Sequence, residues 1–191
     1  MSATQAGGRG GMRIQVAAGA GQGPTELAAF DAALQAVGVS NYNLLRLSSV
    51  IPPGSLVTVL PQPLSPPGAW GDRLYVVAAE ARTGVLWDHV WAGIGWIQDP
   101  HAGHGLFVEH EGHSEAKVRS DIELSLAALR KSRGAVGAAM GEAQIVTSGA
   151  VCTDQPVCAL VVAVFATEPW GLSQRDLAAV TALAEPAVAR R

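Results

Sequence analysis

The sequence predicts an α+β fold: mainly antiparallel β-sheets sandwiched with helices in αββα-type layers. Three observations predict it. Strand-like apolar segments follow one another in groups, amphipathic segments with helix-capping residues separate those groups, and charge is scarce. Of the 191 residues, 49% are hydrophobic and 15% charged, so one buried core forms and apolar surface is left over for subunit contacts. No repeat or composition break divides the chain. Residues 12–191 therefore read as a single domain behind a Gly-rich, disordered segment at 1–11.

Residues 13–18 read as a strand, and Gly19-Ala-Gly-Gln-Gly-Pro24 as a tight turn. The turn lacks the Lys-Ser/Thr of a phosphate-binding P-loop and a complete G-x-G-x-x-G. Thr25 N-caps a helix that runs to Val37 and stops at Gly38, with Leu27, Phe30, Leu34 and Val37 as its apolar stripe. Asp31 lies beside that stripe, where a carboxylate either turns to water or takes a partner. Residues 41–51 read as one strand, with Asn43, Leu45, Leu47, Ser49 and Ile51 on one face. Pro52-Pro53 ends it and holds Ile51 extended.

Residues 56–60 form a further strand, followed by a rigid Pro-rich connection over 61–68. Two long strands, 73–82 and 85–98, read as a hairpin joined at Thr83-Gly84, with Trp87, Trp91 and Trp96 assigned to packing. Residues 105–111 make a strand with Phe107, Glu109 and Glu111 on one face. Ser114 caps a helix to Ser132, with Gly134 as its stop. Strands at 143–152 and 157–167 complete the sheet region, with Cys152 and Cys158 facing each other across a hairpin as reduced, buried thiols. Ser173 starts a last helix that Pro186 cuts short.

The chemistry-bearing stretch is Asn43-Leu-Leu-Arg-Leu-Ser48-Ser49-Val-Ile-Pro52-Pro53. Two readings of the serine pair stand on spacing alone. Both serines can cap nearby backbone at a strand end. Alternatively, Ser49 is a self-processing residue whose hydroxyl attacks the preceding carbonyl and turns the Ser48–Ser49 peptide into an ester. β-Elimination then breaks the chain there, and the residue left at 49 hydrolyses to a pyruvoyl group. That chemistry needs backbone held away from its relaxed geometry, which a stiff segment before Pro-Pro supplies.

This block resembles that of the pyruvoyl-dependent arginine decarboxylases, together with Gly23-Pro-Thr-Glu-Leu-Ala-Ala-Phe-Asp31 and Gly105-Leu-Phe-Val-Glu109-His-Glu-Gly112. The resemblance runs from about residue 14 to the strand near 168. It implies that Ser49 becomes the pyruvoyl cofactor by cleavage between Ser48 and Ser49. It also implies that Asp31 binds the substrate, that Asn43 stands near the cofactor and that Glu109 is the catalytic acid. The implied reaction converts arginine to agmatine and carbon dioxide through a Schiff base to that group. The implied assembly is a homotrimer of cleaved protomers, or a multiple of it, with pockets between neighbours. Ser40 and Tyr42 depart from the family's small or aliphatic residues before the strand, and 173–191 extends past its usual end. Two alternatives stand beside this reading: an unprocessed, non-catalytic trimeric relative with a structural or regulatory role, and a pyruvoyl decarboxylase of another amino acid.

A net charge of −3 gives no reason to invoke nucleic acid or an anionic membrane as partner. No apolar run reaches membrane-spanning length and no signal core precedes the first strand, so the expectation is a soluble cytoplasmic protein. His101, His104, His110 and His113 crowd one region with Asp99, Glu109 and Glu111. Their spacing is not H-E-x-x-H, and no metal is expected.

Overall fold

The computed structural model describes residues 11–61 and 63–171. Among the described residues, nine strands and three helices follow in the order β1 (Arg13–Gln22), α1 (Glu26–Val37), β2 (Asn43–Arg46), β3 (Val50–Ile51), β4 (Leu56–Val59), β5 (Arg73–Thr83), β6 (His89–Gln98), β7 (Gly105–Gly112), α2 (Glu115–Ser132), α3 (Gly134–Ala138), β8 (Gln144–Val151) and β9 (Val157–Glu168). They build two sheets, one of five strands in the order β2-β5-β9-β1-β4 and one of four in the order β3-β7-β6-β8. Only β1–β4 and β2–β5 pair in parallel; every other pairing is antiparallel.

Three apolar layers hold this together. Ile14, Val16, Ile94, Phe107 and Phe165 pack between the sheets. Ala29, Ala33, Leu34 and Val37 of α1 pack on Leu160 and Val162 at the outer face of the five-stranded sheet. Val118, Ile122 and Leu126 of α2 pack on Ile97 and Val108 of the other. The order is helix, sheet, sheet, helix, the αββα-type α+β fold. Strand β9 sits at the centre of its sheet with both faces covered, which is why Val157 to Phe165 is an unbroken buried run rather than an alternating one.

Helix α1 starts where Thr25 Oγ1 accepts a hydrogen bond from Ala28 N at 3.1 Å and ends at Gly38, whose φ is +83°. Its buried face is narrower than the sequence suggests. Leu27 is 68% exposed, and it shares an outward face with Asp31 one turn on. Helix α2 is capped by Ser114, whose Oγ accepts from Lys117 N. Arg133, not Gly134, closes it, and the short α3 follows directly.

Several expectations from the sequence are corrected. Most of the supposed turn at 19–24 is strand, since β1 runs on to Gln22. Its glycines serve helix packing, since a Cβ on Gly21 would lie 2.2 Å from the backbone nitrogen of Ala33. Gly95 plays the same part under α2, where a Cβ would lie 2.2 Å from Ile122 Cγ2. Thr83-Gly84 is no hairpin, because β5 and β6 belong to different sheets. Residues 84–88 form a corner between them, pinned where Thr83 Oγ1 donates to Asp88 Oδ2 at 3.0 Å and Trp87 N donates to Cys152 O. Trp87 is therefore outside the core and 67% exposed, whereas Trp96 is buried. The cysteines likewise do not face across a hairpin, since β8 and β9 lie in different sheets. Both are free and buried, and burial pushes the Cys158 thiol up to about 11. The expected helix from Ser173 and most of the 1–11 segment lie outside the described residues.

The close approach at Gly21 is directly testable. Gly21→Ala should lower unfolding stability by about 1–3 kcal/mol through overpacking against α1. Gly112→Ala, where the nearest atom would be 3.4 Å away, should cost far less in the same urea titration.

Candidate active site

The largest correction concerns residues 41–51. They do not form one strand. β2 ends at Arg46 in the five-stranded sheet, and β3 begins at Val50 in the four-stranded sheet. Leu47, Ser48 and Ser49 carry the chain across. Leu47 N donates to Val76 O of β5 at 2.9 Å, and Ser49 O accepts from Phe107 N of β7 at 2.8 Å. The Ser48–Ser49 peptide is thus anchored to one sheet on its N-terminal side and to the other on its C-terminal side. Arg46 strengthens the first anchor, donating to Ala78 O and pairing with Glu80.

Making that crossing sets Ser49 at φ +68°, the left-handed region, in a residue that is not glycine. Such backbone costs on the order of 1–3 kcal/mol and persists only where flanking contacts impose it. Here the two anchors impose it. Ser49 Oγ donates a hydrogen bond to Glu109 Oε1, and both residues are half-buried. Glu109 reaches Ser49 because β7 pairs with β3 at Leu106, which brings the next residues of β7 alongside the serines.

A cavity of about 490 Å³ opens onto this pair. Leu106, Val108 and Leu129 supply apolar wall, and His110 and Ser125 bond each other at 2.8 Å beside it. Arg133, at the end of α2, completes its rim. The residues read as a candidate metal cluster fall apart: His113 pairs with Asp88, and His110 with Ser125. Among the described residues, no group of three His, Cys, Asp or Glu is placed to hold a metal.

Of the five residues expected in the site, Ser48, Ser49 and Glu109 come together. Asn43 does not share a strand face with Ser49, because the sheet change intervenes, and its amide donates to Gly71 O. Asp31 stands on the outward face of α1 and accepts from Gln35 Nε2 at 2.6 Å. Among the described residues, no hydrogen bond links it to Ser49 or Glu109. Sequence reasoning missed His110 and Ser125 as cavity residues, and Arg133 altogether. Strand alternation places His110 toward α2, and that much of the signal was present.

The family profile described as Pyruvoyl-dependent arginine decarboxylase (PvlArgDC) matches residues 13–169, most of the chain and the whole of both sheets. The chain belongs to the pyruvoyl-dependent arginine decarboxylase family. Among relatives bearing that name, the Halobacterium salinarum protein (strain R1) is 45% identical over 98 residues, 51% of this chain and 59% of its own length. The Methanocaldococcus jannaschii protein is 43% identical over 62 residues, 32% of this chain and 36% of its own. The Methanothermobacter thermautotrophicus protein is 39% identical over 51 residues, 27% of this chain and 34% of its own. The chain thus covers less than two thirds of the length of the curated relatives it matches. A pyruvoyl group, which the family's name implies, fits the residues present. Ser49 offers the hydroxyl and the α-carbon from which such a group is made, beside a carboxylate and facing a cavity.

The imposed conformation predicts a stability order at position 49. Ser49→Gly adopts a positive φ freely, Ser49→Ala less so, and Ser49→Val least. In urea unfolding the Gly variant should be the most stable and the Val variant the least, spanning about 1–3 kcal/mol. Equal stabilities would mean that φ at residue 49 is not imposed.

Proposed function

We propose that this chain is a self-processing decarboxylase that converts arginine to agmatine and carbon dioxide. The observation that carries the reading is Ser49, held in left-handed backbone between two sheets with its hydroxyl on Glu109.

Processing follows from those residues. Ser49 Oγ attacks the Ser48 carbonyl carbon, the C–N bond to Ser49 breaks, and residue 48 becomes an ester on Oγ with Ser49's nitrogen now a free amine. Loss of the α-proton and cleavage of the Oγ–Cβ bond release residues 1–48 with a C-terminal carboxylate, leaving dehydroalanine at 49. One water enters and one ammonia leaves, giving the pyruvoyl ketone at the new N-terminus. Cleavage also removes the φ torsion of residue 49, so the strain in the intact chain is released with the product. Asn43 contributes by holding the start of β2 on Gly71.

A pyruvoyl carbonyl supplies an electrophile for the substrate's α-amine and an electron sink for the pair released with carbon dioxide. Glu109, freed of its serine partner by the cleavage, delivers a proton to the substrate α-carbon. The apolar wall of Leu106, Val108 and Leu129 keeps water from that carbon. Asp31 receives the substrate guanidinium by charge-assisted hydrogen bonds from a neighbouring subunit. Two features support that shared pocket. Asp31 and the exposed Leu27 present one outward face of α1, and Leu45, Leu47 and Val50 stand exposed around the serines. The assembly is read as a closed trimer or a multiple of it. Among the described residues no helix is long and apolar enough to cross a membrane. The free, buried cysteines suit a reducing cytoplasm.

Incubation with arginine tests the reading. Agmatine and carbon dioxide should form in equal amounts with wild type and not at all with Ser49→Ala, and no agmatine from cleaved wild type would refute it. Glu109→Gln should still undergo cleavage, because the amide oxygen accepts the serine hydrogen bond, yet turn over about 10²–10⁴-fold slower. Asp31→Asn should lower kcat/KM for arginine about ten- to a hundredfold, the loss of one charge-assisted contact of about 1.5–3 kcal/mol. An uncharged amino acid of similar length should be affected far less. Light scattering should give about three times the protomer mass or a multiple of that, and an active monomer would contradict the shared pocket.

A further inference from the structure

The α-carboxylate of the substrate has no partner in the account above, and the cavity contains one. Arg133 lies on its rim, in the same lining as Ser49 and Glu109, and it is the only lysine or arginine among the described lining residues. Its guanidinium donates through Nη1 alone, to Leu129 O at 3.4 Å and Ser132 Oγ at 3.3 Å. These are long contacts at a helix end. Among the described residues Nε and Nη2 have no acceptor, and no carboxylate pairs with the side chain. The Nε–Nη2 edge is the one that grips a carboxylate with two parallel hydrogen bonds. Arg130, one turn earlier, is different: its guanidinium is committed to Met140 O and Gly141 O and has a structural role.

We propose that Arg133 binds the α-carboxylate of the amino acid substrate and so discriminates substrate from product. The assignment rests on the decarboxylase reading and deepens it. A like-charged guanidinium on this rim also turns the substrate's cationic tail away, toward the opposite side of the pocket. When carbon dioxide leaves, the partner of Arg133 leaves with it. The product amine then faces an unpaired cation, which favours its release. Because the contact is made to the ground-state carboxylate, removing it should raise KM without lowering kcat.

The test uses the uncleaved Ser49→Ala chain, which cannot turn over, titrated calorimetrically with L-arginine and, separately, with agmatine. Adding Arg133→Gln should weaken arginine binding about tenfold or more and leave agmatine within about twofold. Arg133→Lys should restore part of the loss. Equal weakening of both ligands would assign Arg133 to helix capping alone and overturn the proposal, as would unchanged arginine binding. Should the parent chain bind neither ligand, steady-state kinetics of the cleaved Arg133→Gln chain decide: a raised KM for arginine with kcat unchanged supports the proposal, and an unchanged KM overturns it.

Discussion

The peptide between Ser48 and Ser49 lies in a three-residue crossing whose two ends are held by different sheets. Leu47 is fixed to β5 and Ser49 to β7 by backbone hydrogen bonds, so any relaxation of the peptide must move one sheet against the other. The interior between the sheets resists this, because Phe107 packs there against Trp96 and Phe165 at centroid distances of 5.9 and 6.0 Å. Close-packed interiors transmit strain instead of absorbing it. The strained serine is thus an outcome of the whole sandwich. A short loop of the same sequence, free of the sheets, would relax to ordinary backbone.

The rest of the architecture serves that geometry. Small residues let the helices close tightly on the sheets: Gly21 under α1 and Gly95 under α2. The two-residue strand β3 covers β7 only at Gly105 and Leu106, so the β7 edge beyond it is open where Glu109 stands. A longer β3 would have continued the ladder past Glu109 and filled the cavity mouth. The change of sheet at 47–49 both places the serine and terminates its strand early.

Much of this was legible in the sequence. Alternation and capping residues identified both main helices and most strands, while the roles of the serine pair, Glu109 and Asp31 came from the family resemblance, and within the protomer the fold brings together the serines and Glu109 but not Asp31. What failed was partner choice. Residues 41–51 and the stretch around Thr83-Gly84 carry strand-like composition throughout, and nothing local records that the chain changes sheets within them. A glycine in β1 looks like a turn residue until the helix that presses on it is known. Arg133 escaped notice for a related reason: a basic residue after a helix reads as an end cap, and only the fold reveals the cavity beside it.

The central claim is that the strained peptide is spent to make the cofactor. The intact mass of the freshly purified wild-type chain tests this most directly. The account predicts two species, residues 1–48 with a free carboxylate and residues 49–191 beginning with a pyruvoyl group that blocks N-terminal sequencing. A single species of residues 1–191 that persists through long incubation would contradict it.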